Sequence, residues 1–143
     1  SAIDSVRTGT ARRIDKPGHV FNRIHVEDIV QTLIASMNKP NPGAIYNLAD
    51  DMPGPSHDVV TFACNLTGMD APPMISFDQA EMAPIVRSFY KDNKRVKNDR
   101  IKADLGVELL YPDYRCGLQA CLDVEEDVVK LLKFEQTDAS TGR

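Results

Sequence analysis

Apolar residues fall at Ile29, Val30, Leu33, Ile34 and Met37, directly behind a run in which Ile24 and Val26 alternate with Arg23 and His25. The alternation has the period of a short half-buried strand, and the spacing behind it is that of one helix face. Glu27 and Asp28 lie where the helix would start, and peptide dipoles leave partial positive charge there to favour them. Asp28 is the expected N-cap, with Gln31 three residues on, close to a capping box. Past Pro40, Pro42 and Gly43 the run Ala-Ile-Tyr-Asn-Leu-Ala at 44–49 carries no charge. It reads as a strand buried on both faces, of the kind found inside parallel sheets. Strand, helix and strand form one crossover unit, and the rest of the chain is expected to attach to it.

The remaining pattern predicts short elements. Ile3 and Val6 suggest a helix ending near Gly9, followed by an extended Arg12-Arg13-Ile14 and a turn at Lys16-Pro17-Gly18. After a Pro- and Gly-rich loop at 51–55, Ser56 is expected to cap a helix carrying Val59, Val60, Ala63 and Leu66, with Gly68 in the C′ position. Pro72-Pro73 precedes a strand-like Met74-Ile75-Ser76-Phe77. Residues 78–90 hold Met82, Ile85, Val86 and Phe89 at helical spacing, with Pro84 inside the run. Residues 94–97 read as extended, and Asn98 as the cap of a small helix with Ile101 and Leu105 that stops at Gly106. A last helix is expected from about Asp113 to Leu132, its stripe made of Leu118, Cys121, Leu122, Val128, Val129 and Leu132. Asp123 and Glu126 would restart it as a capping box. One α/β domain over 1–134 with a frayed polar tail at 135–143 follows from this pattern.

Composition narrows the class. With 143 residues, 42% hydrophobic and 27% charged, the chain matches one globular domain. It has no run of eighteen apolar residues to span a membrane, and its first residues show neither a basic segment nor an apolar core. A net charge of −4 argues against a nucleic-acid partner. Cys64, Cys116 and Cys121 are an odd number at non-repeating spacings, which suggests reduced thiols and a cytoplasmic location. No His, Cys or carboxylate set stands at metal-ligand spacing. The eight glycines are scattered, and none forms the Gly-rich strand-to-helix turn that brings a dinucleotide pyrophosphate against backbone N–H groups.

Phe21-Asn22-Arg23-Ile24-His25-Val26-Glu27-Asp28, then Gly43-Ala44-Ile45-Tyr46-Asn47-Leu48, resemble the C-terminal half of extended short-chain dehydrogenase/reductases. These are the NAD(P)-dependent epimerases and dehydratases of sugar nucleotides and their relatives. A third match, Lys102-Ala103-Asp104-Leu105-Gly106-Val107 followed by Gly117-Leu118, stands in the correct order downstream. The resemblance implies an α/β substrate-side portion whose crossover unit would join a Rossmann sheet. It also implies that the glycine fingerprint and the catalytic Tyr-x-x-x-Lys belong to an N-terminal half preceding these residues. NAD or NADP is then the cofactor of the parent enzyme, with none expected on this chain alone. The expected partners are a small-molecule substrate, the Rossmann half and a second copy in a homodimer, because 44–49 would otherwise be left with a free edge. The other reading is a non-catalytic binding or self-association domain of the same fold.

Tyr90-Lys91-Asp92-Asn93-Lys94 spells Tyr-x-x-x-Lys, but it follows the His-Val-x-Asp segment where the family has it before, so it is read as coincidence. No catalytic residue is therefore assigned. Arg87 falls where the resemblance puts an arginine that grips substrate phosphates, a role suited to a guanidinium fork. The turn that usually follows it is replaced by Ser88-Phe89-Tyr90. Phe21 stands where a second family arginine is usual, and Arg23 two residues later. Arg87, Arg23, Asn22 and Arg95 are the candidate substrate contacts. Plain alternatives are a solvated helix arginine for Arg87 and, for Arg23, pairing with Glu27 or Asp28. His25 reads as a hydrogen-bonded packing residue.

Overall fold

The computed structural model describes residues 1–125 and 127. Helix α1 (Ala2–Arg7) opens the chain on a capping box in which Ser1 and Asp4 satisfy each other's backbone N–H groups. Strand β1 (Arg13–Asp15) follows, then α2 (Val26–Asn38), α3 (Ser56–Thr67), β2 (Met74–Ser76), α4 (Pro84–Ser88) and α5 (Asp99–Ala103). A further helix, α6, occupies 114–125. Asp113 caps it, its Oδ1 accepting from the N–H groups of Arg115 at 2.7 Å and Cys116 at 3.2 Å. The expected apolar positions at 128, 129 and 132, the capping partner at 126 and the tail lie outside the described residues.

The fold is mixed α/β with a small parallel sheet. β1 and β2 pair with Ile14 opposite Ile75, and α3 provides the connection and packs on both α1 and β1. Three clusters make the core. Ile3, Val6, Ala63, Cys64 and Leu122 join α1, α3 and α6. Ile14, Ala80 and Tyr90 close the sheet. Ile101, Leu105 and Val107 pack with Tyr46 and Leu48 beneath α2. Gly68 ends α3 in the left-handed region at φ 65°, as a C′ glycine should.

The helix of the expected crossover unit forms, but its flanking strands do not. α2 starts at Val26 with His25 as N-cap, so the segment read as a strand is consumed by the helix entry. Phe21 contributes only an isolated bridge to Gly54. Residues 44–49 carry no strand pairing. A strand needs a neighbouring backbone, and here side chains serve the carbonyls instead: Arg100 donates to Ile45 O at 3.0 Å and Asn98 to Ala49 O at 2.8 Å. Burial is one-sided too, since Tyr46 and Leu48 face the core while Ile45 is 75% exposed. The helix expected over 78–90 shortens to α4, because Pro84 is accommodated only at its first turn. Ser56 is the first helical residue of α3, not its cap; Pro55 holds that position and supplies no side-chain bond.

Asp28 is not the N-cap either. It lies fully buried in the first turn of α2, where its carboxylate accepts from Leu110 N at 2.8 Å, Tyr111 N at 3.1 Å and the Gln31 amide. Thr32, one turn on, is also buried. α2 thus turns a polar stripe inward and leaves Val26, Val30, Leu33, Ile34 and Met37 between 49% and 70% exposed. A solitary globular domain normally does the reverse.

Candidate substrate-facing site

The sequence-predicted contacts divide between two neighbourhoods. Asn22 clamps the segment around Arg95: its side chain donates to Lys94 O at 2.8 Å and accepts from Val96 N at 2.8 Å. Asn93 makes the reciprocal pair, donating to Gly18 O at 2.8 Å and accepting from Val20 N at 3.0 Å. Asn22 and the Arg95 segment are therefore brought together, with the Arg95 side chain exposed. Arg87 stands apart on α4. Its guanidinium lies over the Phe77 ring at 4.3 Å and faces the carbonyls of Phe77 and Ala80. That contact accounts for Arg87 without a phosphate.

Arg23 does not pair with Glu27 or Asp28. It turns inward and donates to the carbonyls of Phe21 at 3.1 Å and Gly54 at 3.0 Å. Burial lowers its pKa from the usual arginine value, against the attraction of Asp50. Asp50, 4% exposed, is shifted upward by burial, with the Met52 N–H and Arg23 opposing that shift. The two residues share the wall of an apolar cavity of about 380 Å3 with His25, Tyr111 and Cys121. His25 Nδ1 accepts from Glu27 N at 3.3 Å, which puts the proton of the neutral ring on Nε2, 3.6 Å from Cys121 Sγ. The ring also lies against Tyr111, tilted by 42° with centroids 3.9 Å apart. Both ring nitrogens are engaged, as a packing histidine requires. Gly117 is needed beside it, because a Cβ there would stand 3.2 Å from His25 Cδ2. Burial raises the Cys121 thiol, reinforced by Glu125.

The Tyr-x-x-x-Lys pair is separated in space. Tyr90 is 7% exposed and its hydroxyl lies 3.2 Å from Ser56 Oγ, while Lys94 reaches into solvent and pairs with Asp92 at 3.1 Å. Lys94 is turned away from the Tyr90 hydroxyl, so the two do not form the proton-transfer couple.

A feature with no sequence signal lies under Tyr90. The Ser56–Tyr90 hydroxyl pair floors an open cleft of about 670 Å3 between β1, the start of α3 and α4, with Arg12 and Glu81 at its mouth. Behind the pair Lys16, His19 and His57 pack closely, with no space for a water-sized molecule between them. These residues come from stretches of the chain that are far apart in sequence.

No protein-family model and no curated protein matches the sequence. Among solved structures, a functionally unknown conserved protein from Silicibacter pomeroyi is 55% identical with a TM-score of 0.81, over 84% of this chain and 43% of its own. The Bordetella bronchiseptica enzyme WbmF, solved in complex with NADH, aligns at a TM-score of 0.64 and 20% identity over 92% of this chain and 37% of its own. A dTDP-glucose 4,6-dehydratase from Bacillus anthracis, in complex with NAD, aligns at 0.63 and 16% over 88% and 38%. The chain shares their fold. It spans less than half the length of each.

The residues present do not fit a dinucleotide. Glu27 and Asp28 lie in the first turn of α2 and Asp58 in that of α3, and neither helix follows the Gly-rich turn that a dinucleotide pyrophosphate uses. Among the described residues no cluster of His, Cys, Asp and Glu is placed to hold a metal ion, and no helix is long and apolar enough to cross a membrane.

Proposed function

We propose that this chain is the substrate-side portion of an NAD(P)-dependent oxidoreductase or epimerase acting on a sugar-nucleotide-like or other small carbonyl or hydroxyl compound. The fold it shares with two enzymes solved with NADH or NAD, over 88–92% of this chain but only 37–38% of theirs, carries this reading. In such an enzyme the nicotinamide takes and returns a hydride. Because this chain's own helix starts disfavour pyrophosphate, the cofactor belongs to a separate Rossmann half, and this chain contributes the floor and walls of the substrate site. Asn22, Arg23 and Arg95 flank one side of that site. The inverted stripe of α2, with Ile45 beside it, is the surface that the Rossmann half covers.

Co-expression of this chain with the part of the Silicibacter pomeroyi protein that it does not match tests the reading. A complex that binds NADH, seen by the rise of nicotinamide fluorescence, and that is lost on Leu33→Lys, is the expected result. Free halves, or a chain that binds NADH alone at low micromolar concentration, would refute it.

The same stripe supports a second reading, a self-association domain in which a second copy covers α2 in a symmetric dimer. Light scattering of the chain alone over a range of concentrations separates the two. A dimer dissolved by Leu33→Lys favours self-association, and a monomer leaves the stripe to the Rossmann half.

A further inference from the structure

We infer that the cleft between β1, the first turn of α3 and α4 binds a small amphipathic carboxylate, its anionic group held by Arg12, Ser56 and Tyr90 and its body against Ile14, Met82 and Val86. The inference rests on the substrate-side reading for the idea that a substrate lies here. The cleft itself is argued from its own chemistry.

Its volume of about 670 Å3 suits a small molecule. The walls are aliphatic and the floor is the Ser56–Tyr90 hydroxyl pair, 3.2 Å apart. When one hydroxyl donates to the other, the second proton remains for a ligand oxygen. Arg12 is exposed at the mouth, and one of its terminal amines is fixed on Glu81 O at 2.7 Å. The rest of its guanidinium is left for an oxyanion.

A second observation lies behind the floor. His19 is 4% exposed, stacks on Tyr90 with centroids 5.1 Å apart, and its Nε2 has no hydrogen-bond partner. His19 packs there beside Ser56, His57 and Lys16, behind the Tyr90 ring that floors the cleft. A buried polar atom left unpaired is costly, and it marks this floor as the polar end of an otherwise aliphatic cleft. The charges limit the ligand. Arg12 and Lys16 face the floor from one side, while the carboxylates of Glu81 at the mouth and Asp58 in the first turn of α3 oppose them. The four charges cancel, so a single carboxylate relies on its direct contacts with Arg12 and the two hydroxyls, and a diphosphate finds no surplus of positive charge.

The test is a titration of the full chain, labelled with 15N, with isocaproate, its neutral amide isocaproamide, and UDP. Isocaproate is expected to shift the Ser56 and His57 amide signals saturably, with a millimolar dissociation constant, and isocaproamide to leave them in place. Arg12→Gln, a change at an exposed side chain, should weaken isocaproate roughly tenfold, the loss of a charge-assisted contact. Tyr90→Phe should weaken it a few-fold. Unmoved Ser56 and His57 signals, an Arg12→Gln variant that binds as well as the parent, or UDP binding more tightly than isocaproate would each overturn the inference. These readouts need no cofactor, so they fail or succeed separately from assembly with a Rossmann half.

Discussion

Replacing Asp28 with Ala is expected to be the most damaging single change in the described part of the chain. The carboxylate is fully buried and is the shared acceptor for the backbone N–H groups of Leu110 and Tyr111 and for the Gln31 amide. Hydrogen bonds to a charged acceptor contribute about 1.5–3 kcal/mol each, and a buried donor left alone costs about 1–3 kcal/mol. Two backbone donors lose their acceptor, but both are only partly buried and can recover some water, while Gln31 keeps its bond to Glu108 O. The net loss is about 2–4 kcal/mol. Asn at this position keeps one oxygen but turns an NH2 group toward an N–H, for about 1–2 kcal/mol. Thr32→Val is the control, since Thr32 bonds only the Asp28 carbonyl within its own helix, and should cost less than about 1 kcal/mol. Urea unfolding followed by circular dichroism, at one fixed protein concentration and with the slope compared between variants, gives all three values. An Asp28→Ala variant within about 0.5 kcal/mol of the parent would refute the reasoning that this carboxylate ties the 108–111 loop to α2.

Desolvation, with Lys16 nearby, lowers the His19 pKa from 6.5, so its contribution to stability is present above pH 6.5 and is lost as pH falls through the folded value. Thermal melts should therefore drop on acidification below 6.5, with a smaller drop in His19→Phe; identical slopes for the two proteins would contradict this. Iodoacetamide should modify exposed Cys116 first, Cys121 slowly because burial raises its thiol, and Cys64 only on unfolding. Peptide mapping that finds native-state alkylation at Cys64 would count against the packing of α1 on α3. Gly68→Ala should cost about 1 kcal/mol in a urea melt, since its φ of 65° disfavours a side chain; an unchanged midpoint would mean that α3 can end another way.

Local signals were legible where the physics is local. Gly68, the Asn98 turn and the extended stretches around Ile14 and Ile75 follow from backbone preference and short apolar runs, while the parallel pairing of those two stretches does not. Periodicity also located α2, with its N-cap three residues later than the observed His25, yet it could not say which face would be covered within this chain. The apolar stripe is the exposed one, and Asp28 and Thr32 are the buried pair. A strand is harder still, because 44–49 has the composition of one but lacks a neighbour to pair with among the described residues. The Ser56–Tyr90 floor left no trace in the sequence. Its members are far apart along the chain. Arg87 and Arg23 were picked out as guanidiniums, and their partners turned out to be carbonyls and a ring, which no spacing rule reveals.

The two asparagine clamps have a consequence for how this surface can change. In a sheet, neighbouring stretches are tied by their own N–H and C=O groups, and every residue along the ladder is constrained in register. Here Asn22 and Asn93 act as the rungs, each supplying donor and acceptor from its side chain to the opposite stretch. The stretch at 94–96 is thereby held without calling on the side chains of Lys94 or Arg95. Those two positions are free to exchange one basic, acidic or neutral group for another while the path of the chain stays the same. A surface built this way can retune its charge one residue at a time, and the two amides are the positions that cannot be spared.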